Sequence, residues 1–204
     1  MDLRDMSGCM RWLFVVLALT LILACRTTDP CPPELSQRTT PPLISQYDGS
    51  PCVRLAEVRA DTPPPDLYKS AAGCMIAERY AEATELGLLA VAFVRFDALR
   101  HPGIEPRNLR ESLEVEHWSA LPGGSGLRFS LYHRHRKHTG QGLQSKELLC
   151  AELARIGPPT YEASYLDKFL ESCRDLDRRV DPPANFDRSQ AWRHVLAGLG
   201  ICAA

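Results

Sequence analysis

No uncharged apolar run in this sequence is long enough to cross a bilayer as an ordinary helix. The stretch from Trp12 to Ala24 stops at 13 residues, against the roughly 20 that a hydrocarbon core demands. Among the eight cysteines there is no Cys-x-x-Cys pair, which argues against a zinc ribbon and against a thioredoxin-like redox site. A Walker loop and a His-Glu-x-x-His pair are missing, and Gly123-Gly124-Ser125-Gly126-Leu127 lacks the last glycine of a nucleophile elbow and reads as a turn. Net charge is close to absent as well. The 24 basic and 25 acidic residues leave -1, so bulk electrostatics nominates no partner.

The apolar run is instead of signal-peptide length, preceded by Arg11 and followed by Cys25-Arg26. Its last residues, Ile22-Leu23-Ala24-Cys25, resemble the bacterial lipobox, in which an aliphatic and a small residue precede a cysteine that is acylated before cleavage. Cys25 is therefore the expected lipidation site and first mature residue, with residues 1–24 as a lipoprotein signal peptide. An uncleaved anchor and an ordinary secretory signal are the competing readings. The first ten residues carry Asp2 and Asp5 against Arg4, whereas export signals open with positive charge, so translation is expected to start at Met10. Arg26, in place of an aspartate, leans the address toward the outer membrane.

With Cys9 and Cys25 set aside, Cys31, Cys52, Cys74, Cys150, Cys173 and Cys202 remain. An even number in an exported chain suggests disulfides. Nine of the 40 residues from Arg26 to Pro65 are proline, which favours extended backbone, and residues 25–65 read as a lipidated tether. Cys31 and Cys52 argue that part of it is stapled back onto the domain. Residues 66–204, with ordinary globular composition, are long enough for one domain that buries roughly two-thirds of its unfolded surface.

Within that domain the residues after Asp66 are alanine-rich and free of proline, with Leu67, Ala71, Cys74 and Ala81 near one face, so a helix is expected from about Pro65 to Leu86. Its small residues have a tetratricopeptide flavour, but no copy follows at a 34-residue period. Residues 88–96 (LLAVAFVRF), 113–117 (LEVEH) and 127–135 (LRFSLYHRH) read as strands of a small antiparallel sheet, a second helix over 88–99 being the competitor for the first. Three more helices are expected. Ser145 caps the first, which runs up to Gly157, Tyr165–Arg178 forms the second with Leu166, Phe169, Leu170, Cys173 and Leu176 on one face, and Asp187 caps the third, which carries Trp192, Val195, Leu196 and Leu199. The expected fold is thus α+β, a small antiparallel sheet with about four helices, with Cys150 and Cys173 on neighbouring helices as the first choice for a bridge.

The densest candidate chemistry lies at Tyr132–His138. Three of the six histidines fall there, and no Asp or Glu occurs from His117 to Lys146 while Arg128, Arg134, Arg136, Lys137 and Lys146 do. On a strand, His133 and His135 share a face and could hold a zinc ion with His117, or act with Arg134 in acid–base cleavage of RNA. Arg128, Arg136, Lys137 and His138 would draw an anionic ligand such as lipid headgroups, lipopolysaccharide or nucleic acid. The plainest reading of such a run is a solvated strand end. Glu111, Glu114 and Glu116 form an acidic patch just before it, expected to pair surface charges or to assist the histidines.

Together, the lipobox, the proline-rich tether, the block HRHRKHTGQGLQSKELLCAELARIGPPTY and the terminal FDRSQAW resemble the paralogous lipoproteins of myxobacteria, a group that includes polymorphic toxins exchanged between outer membranes. The likeness covers the signal region and the last third. It implies an outer-membrane address and a toxin alternative, and it transfers no catalytic residue. The leading expectation is a lipid-anchored, non-enzymatic envelope protein that binds an unknown protein or anionic ligand and needs no cofactor. Zinc binding and a nuclease toxin, the latter with nucleic acid as its substrate, are the alternatives.

Overall fold

Proline sets where the first long helix begins. Pro63 is extended, and Pro64 and Pro65 occupy the first turn, where the missing N–H groups cost nothing, so α1 runs Pro64–Ile76. The structure is a computed structural model that describes residues 49–119, 121, 124–126, 128–132, 146–172, 181–200 and 202. All of these belong to one unit, 35–204. After a 3-10 turn at Leu55–Glu57, the elements are α1, α2 (Tyr80–Arg100), α3 (Pro106–Trp118), α4 (Lys146–Ile156), α5 (Tyr165–Ser172) and α6 (Arg188–Gly198). A short helical stretch also covers 128–132. Among the described residues there is no strand, so the expected antiparallel sheet is wrong and this part of the chain is helical.

Each misread segment has its own reason. Residues 88–96 belong to α2, whose Leu86, Leu89, Ala90, Ala92, Phe93, Val94 and Phe96 are all buried. A helix enclosed on most sides loses its 3.6-residue stripe and looks in sequence like a buried strand. Residues 113–117 belong to α3, started by Pro106 and by Glu105, whose carboxylate accepts the Arg107 N–H at 3.4 Å. Its buried pair is Leu109 and Leu113, four apart, while Val115 is 61% exposed. The alternation at 113–117 was carried by this one exposed valine. Of 127–135, the described residues 128–132 are helical, with the Ser130 hydroxyl donating to Gly126 O.

The helix expected over 65–86 is two. Glu78, at φ 58, turns the chain through the left-handed region, with Arg79 N–H donating to Cys74 O at 2.8 Å. The resulting α1–α2 hairpin is the centre of the core, because small residues (Ala71, Ala72, Ala83, Ala90) let the two helices approach closely around Leu67, Tyr68, Phe93 and Phe96. α3 packs on both, and α6 packs on α2. There Trp192 meets Phe93 (centroids 5.6 Å) and Phe96 (6.2 Å), and Arg95 donates to Gly198 O. At least three of the remaining expectations hold: Asp187 caps α6 through Gln190 N–H at 2.9 Å, Gly157 at φ 76 ends α4, and Leu166 and Phe169 face inward from α5. Ser145 and residues 173–178 lie outside the described residues.

Among the described residues two disulfides close the domain: Cys52–Cys74 (Cα–Cα 4.5 Å) and Cys150–Cys202 (5.2 Å). The first staples the end of the expected tether to α1, and Leu55 and Val58 bury beside it. The second corrects the expected Cys150–Cys173 bridge, since α4 is tied to the chain after α6. Cys31 and Cys173 lie outside the described residues, as does Cys25.

Candidate functional site

Of the residues expected to carry chemistry, His133, Arg134, His135, Arg136, Lys137 and His138 lie outside the described residues. Arg128 and His117 are described. Arg128 is exposed and forms an ion pair with Glu78 at the α1–α2 turn. His117 sits near the end of α3 with its ring stacked on that of Tyr68, 6.5 Å between centroids and 18° between planes. It therefore occupies the α1–α3 interface and not a strand beside the basic run. Among the described residues no group of three or more His, Cys, Asp or Glu is placed to hold a metal ion.

An aromatic chain connects this interface to the start of the basic run. Tyr68 meets Trp118 edge-on at 5.3 Å, Trp118 meets Phe129 at 6.1 Å, Phe129 meets Tyr80 at 6.4 Å, and Tyr80 meets Tyr132 at 5.4 Å. Trp118 also donates its indole N–H to Tyr68 O at 3.4 Å. Such ring contacts seat 128–132 against the helices, because each aromatic pair adds about 0.5–1.5 kcal/mol beyond area burial. The first residues of the basic run are thereby held on the body of the domain, directly before His133. Nearby, Glu111, Glu114 and their cations form the ladder Arg107–Glu111 (2.9 Å) and Arg110–Glu114 (3.5 Å) along α3. Burial pushes the Glu114 carboxyl above its ordinary value, with Arg110 opposing and Glu111 adding to the rise. These acids pair with surface cations on their own helix, as their spacing suggests.

The most tightly built polar cluster went unread in the sequence. Asp97, fully buried, binds Arg100 through Oδ1 (2.8 Å), and its Oδ2 accepts hydrogen bonds from the Tyr161 hydroxyl (2.7 Å) and the Tyr165 hydroxyl. Arg100 also donates to Tyr161 O at 3.2 Å, and its guanidinium lies over the rings of Tyr161 and Phe96 at 5.5 and 5.9 Å. Burial raises the Asp97 pKa, against the pull of Arg100 and of the two tyrosine donors. Burial, followed by the negative charge of Asp97, pushes both tyrosines well above the ordinary phenol value. A signal was present, an Asp and an Arg three apart at the end of an apolar run, but the strand reading of 88–96 hid the helical spacing that pairs them.

What the cluster does chemically is join α2 to residues 161–165. Both carboxylate oxygens are engaged and the side chain is fully buried, so it does not meet a substrate from solvent. A cavity of about 210 Å3 adjoins Arg100, with apolar walls from Ile104, Leu166 and Leu170 and carboxylates from Glu162, Asp167 and Asp181. No described helix is long and apolar enough to cross a membrane. No protein-family model, curated protein or solved structure matches this chain.

Proposed function

We propose that this chain is an exported envelope lipoprotein, anchored by an acylated Cys25, whose helical domain acts by binding an anionic ligand. The observation that carries the export half of this reading is the pair of disulfides, Cys52–Cys74 and Cys150–Cys202. Stable structural disulfides belong to oxidising compartments, and the lipobox at Cys25 supplies an address in one. The binding half rests on the acid-free stretch from His117 to Lys146 and on the aromatic seating that holds its residues 128–132 on the domain.

The anchor is tested by growing cells that express the full chain with a clickable palmitate analogue. The wild-type chain is expected to take up the label and sediment with membranes, and Cys25→Ala to do neither. An unlabelled wild-type chain sinks the reading.

A further inference from the structure

We infer that the Cys52–Cys74 disulfide is a redox-sensitive lock on the docking of α4. The strap formed by residues 52–60 sits between elements distant in sequence. At one end it is bonded to α1 through Cys74, and Arg79, at the start of α2, donates to Cys52 O at 3.4 Å. At the other, Arg155 of α4 donates through one nitrogen to Leu55 O (3.3 Å) and Ala56 O (3.2 Å). Just past α4, Thr160 N–H donates to Ala60 O at 2.7 Å. Leu55 and Val58 are the strap's buried side chains.

α4 is held by this strap and, through Cys150–Cys202, by the chain after α6. Among the described residues the closely packed pairs are α1–α2, α1–α3, α2–α3, α2–α6 and α2 with the strap's 3-10 turn, and α4 belongs to none of them. Yet Leu149 and Leu153 on α4 are buried. Between α4 and α2 lies a cavity of about 290 Å3 whose wall includes Leu55 and Ala56 of the strap, Ala81 and Glu82 of α2, and Leu149 and Glu152 of α4. The strap forms one wall of this gap, and Cys52 fixes it covalently to α1.

Cys74 is fully buried and Cys52 is half-buried, so an incoming thiolate reaches the Cys52 sulfur first. A dithiol reductant supplies the two electrons. Its first thiolate bonds to Cys52 Sγ, and the Cys52–Cys74 bond breaks with its electron pair on Cys74 Sγ, which takes a proton. Its second thiol then displaces Cys52 as a thiol, leaving the reductant as a disulfide. With the strap freed, Arg155 and Thr160 lose their fixed acceptors and α4, still tethered through Cys150–Cys202, loosens against α2, while the α1–α2–α3 core keeps its own packing.

Hydrogen exchange on the purified full chain tests this, because a locally released element loses more protection than the global core. In Cys52→Ser/Cys74→Ser, amides of 147–156 are expected to lose at least about tenfold more protection than those of α2 in the same molecule. Arg155→Ala, with both disulfides intact, is expected to loosen the same amides severalfold while α2 changes little. Equal loss in α4 and α2, including outright unfolding of the serine variant, overturns the lock, and so does an Arg155→Ala protein with unchanged exchange over 147–156.

Discussion

Asp97 is the residue on which the most opposing terms meet. Fully buried and paired with Arg100, it carries a desolvation cost that its ion pair and two tyrosine hydroxyls offset, an arrangement in which breaking one side is worse than removing both. Arg100→Met should therefore destabilise the domain by about 3–5 kcal/mol, and Asp97→Leu combined with Arg100→Met, Tyr161→Phe and Tyr165→Phe, which leaves no buried hydroxyl without its acceptor, by clearly less, as read from urea unfolding. A combined variant no more stable than Arg100→Met would show that the cluster's polar pairing is not the reason. Glu114 offers a test of sign. Its folded-state pKa is raised by burial above the ordinary 4.5, so the carboxyl contributes most below that value and its contribution is lost as pH rises through the raised pKa. Glu114→Gln has no such loss, so the stability of the variant relative to wild type should increase as pH rises from below 4.5, with equal urea midpoints shifts at all pH values counting against it.

At the scale of elements, the ends of helices were easier to read than their interiors. Asp187 and Gly157 act locally, one by accepting an N–H and the other by entering φ 76, and local rules suffice for both. Gly157→Ala should cost about 1 kcal/mol, because an added Cβ meets no neighbour but the backbone lies where L side chains are strained. A thermal midpoint equal to wild type would contradict that. By contrast α2 is central, and its apolar sides face α1, α3 and α6 at once, so no stripe remained in the sequence to separate helix from strand. The same enclosure hid Asp97 and Arg100 as a pair. Glu78 shows a further kind of miss: a non-glycine residue at φ 58 carries no turn signature, and the alanine-rich run through it read as one helix.

Across the whole molecule, the two disulfides divide the work of holding a domain whose helices come from distant parts of the chain. The bond Cys150–Cys202 closes 52 residues and Cys52–Cys74 closes 22, so on chain-entropy grounds removing the longer closure should cost about 4 kcal/mol and the shorter about 3. Urea unfolding of the two double-serine variants checks the order. By itself the sequence determined what depends on composition and local chemistry: cysteines that pair, a Cys52 stapled onto the domain, and the Asp187 cap of the last helix. Tertiary structure alone decided that residues 88–96, 113–117 and 128–132 are helical, that Cys202 is the partner of Cys150, that His117 stacks on Tyr68, and that Asp97 meets Tyr161 and Tyr165. The reason is physical: pairing and burial join residues dozens of positions apart, and a segment buried on every side keeps no periodic trace of the neighbours that bury it.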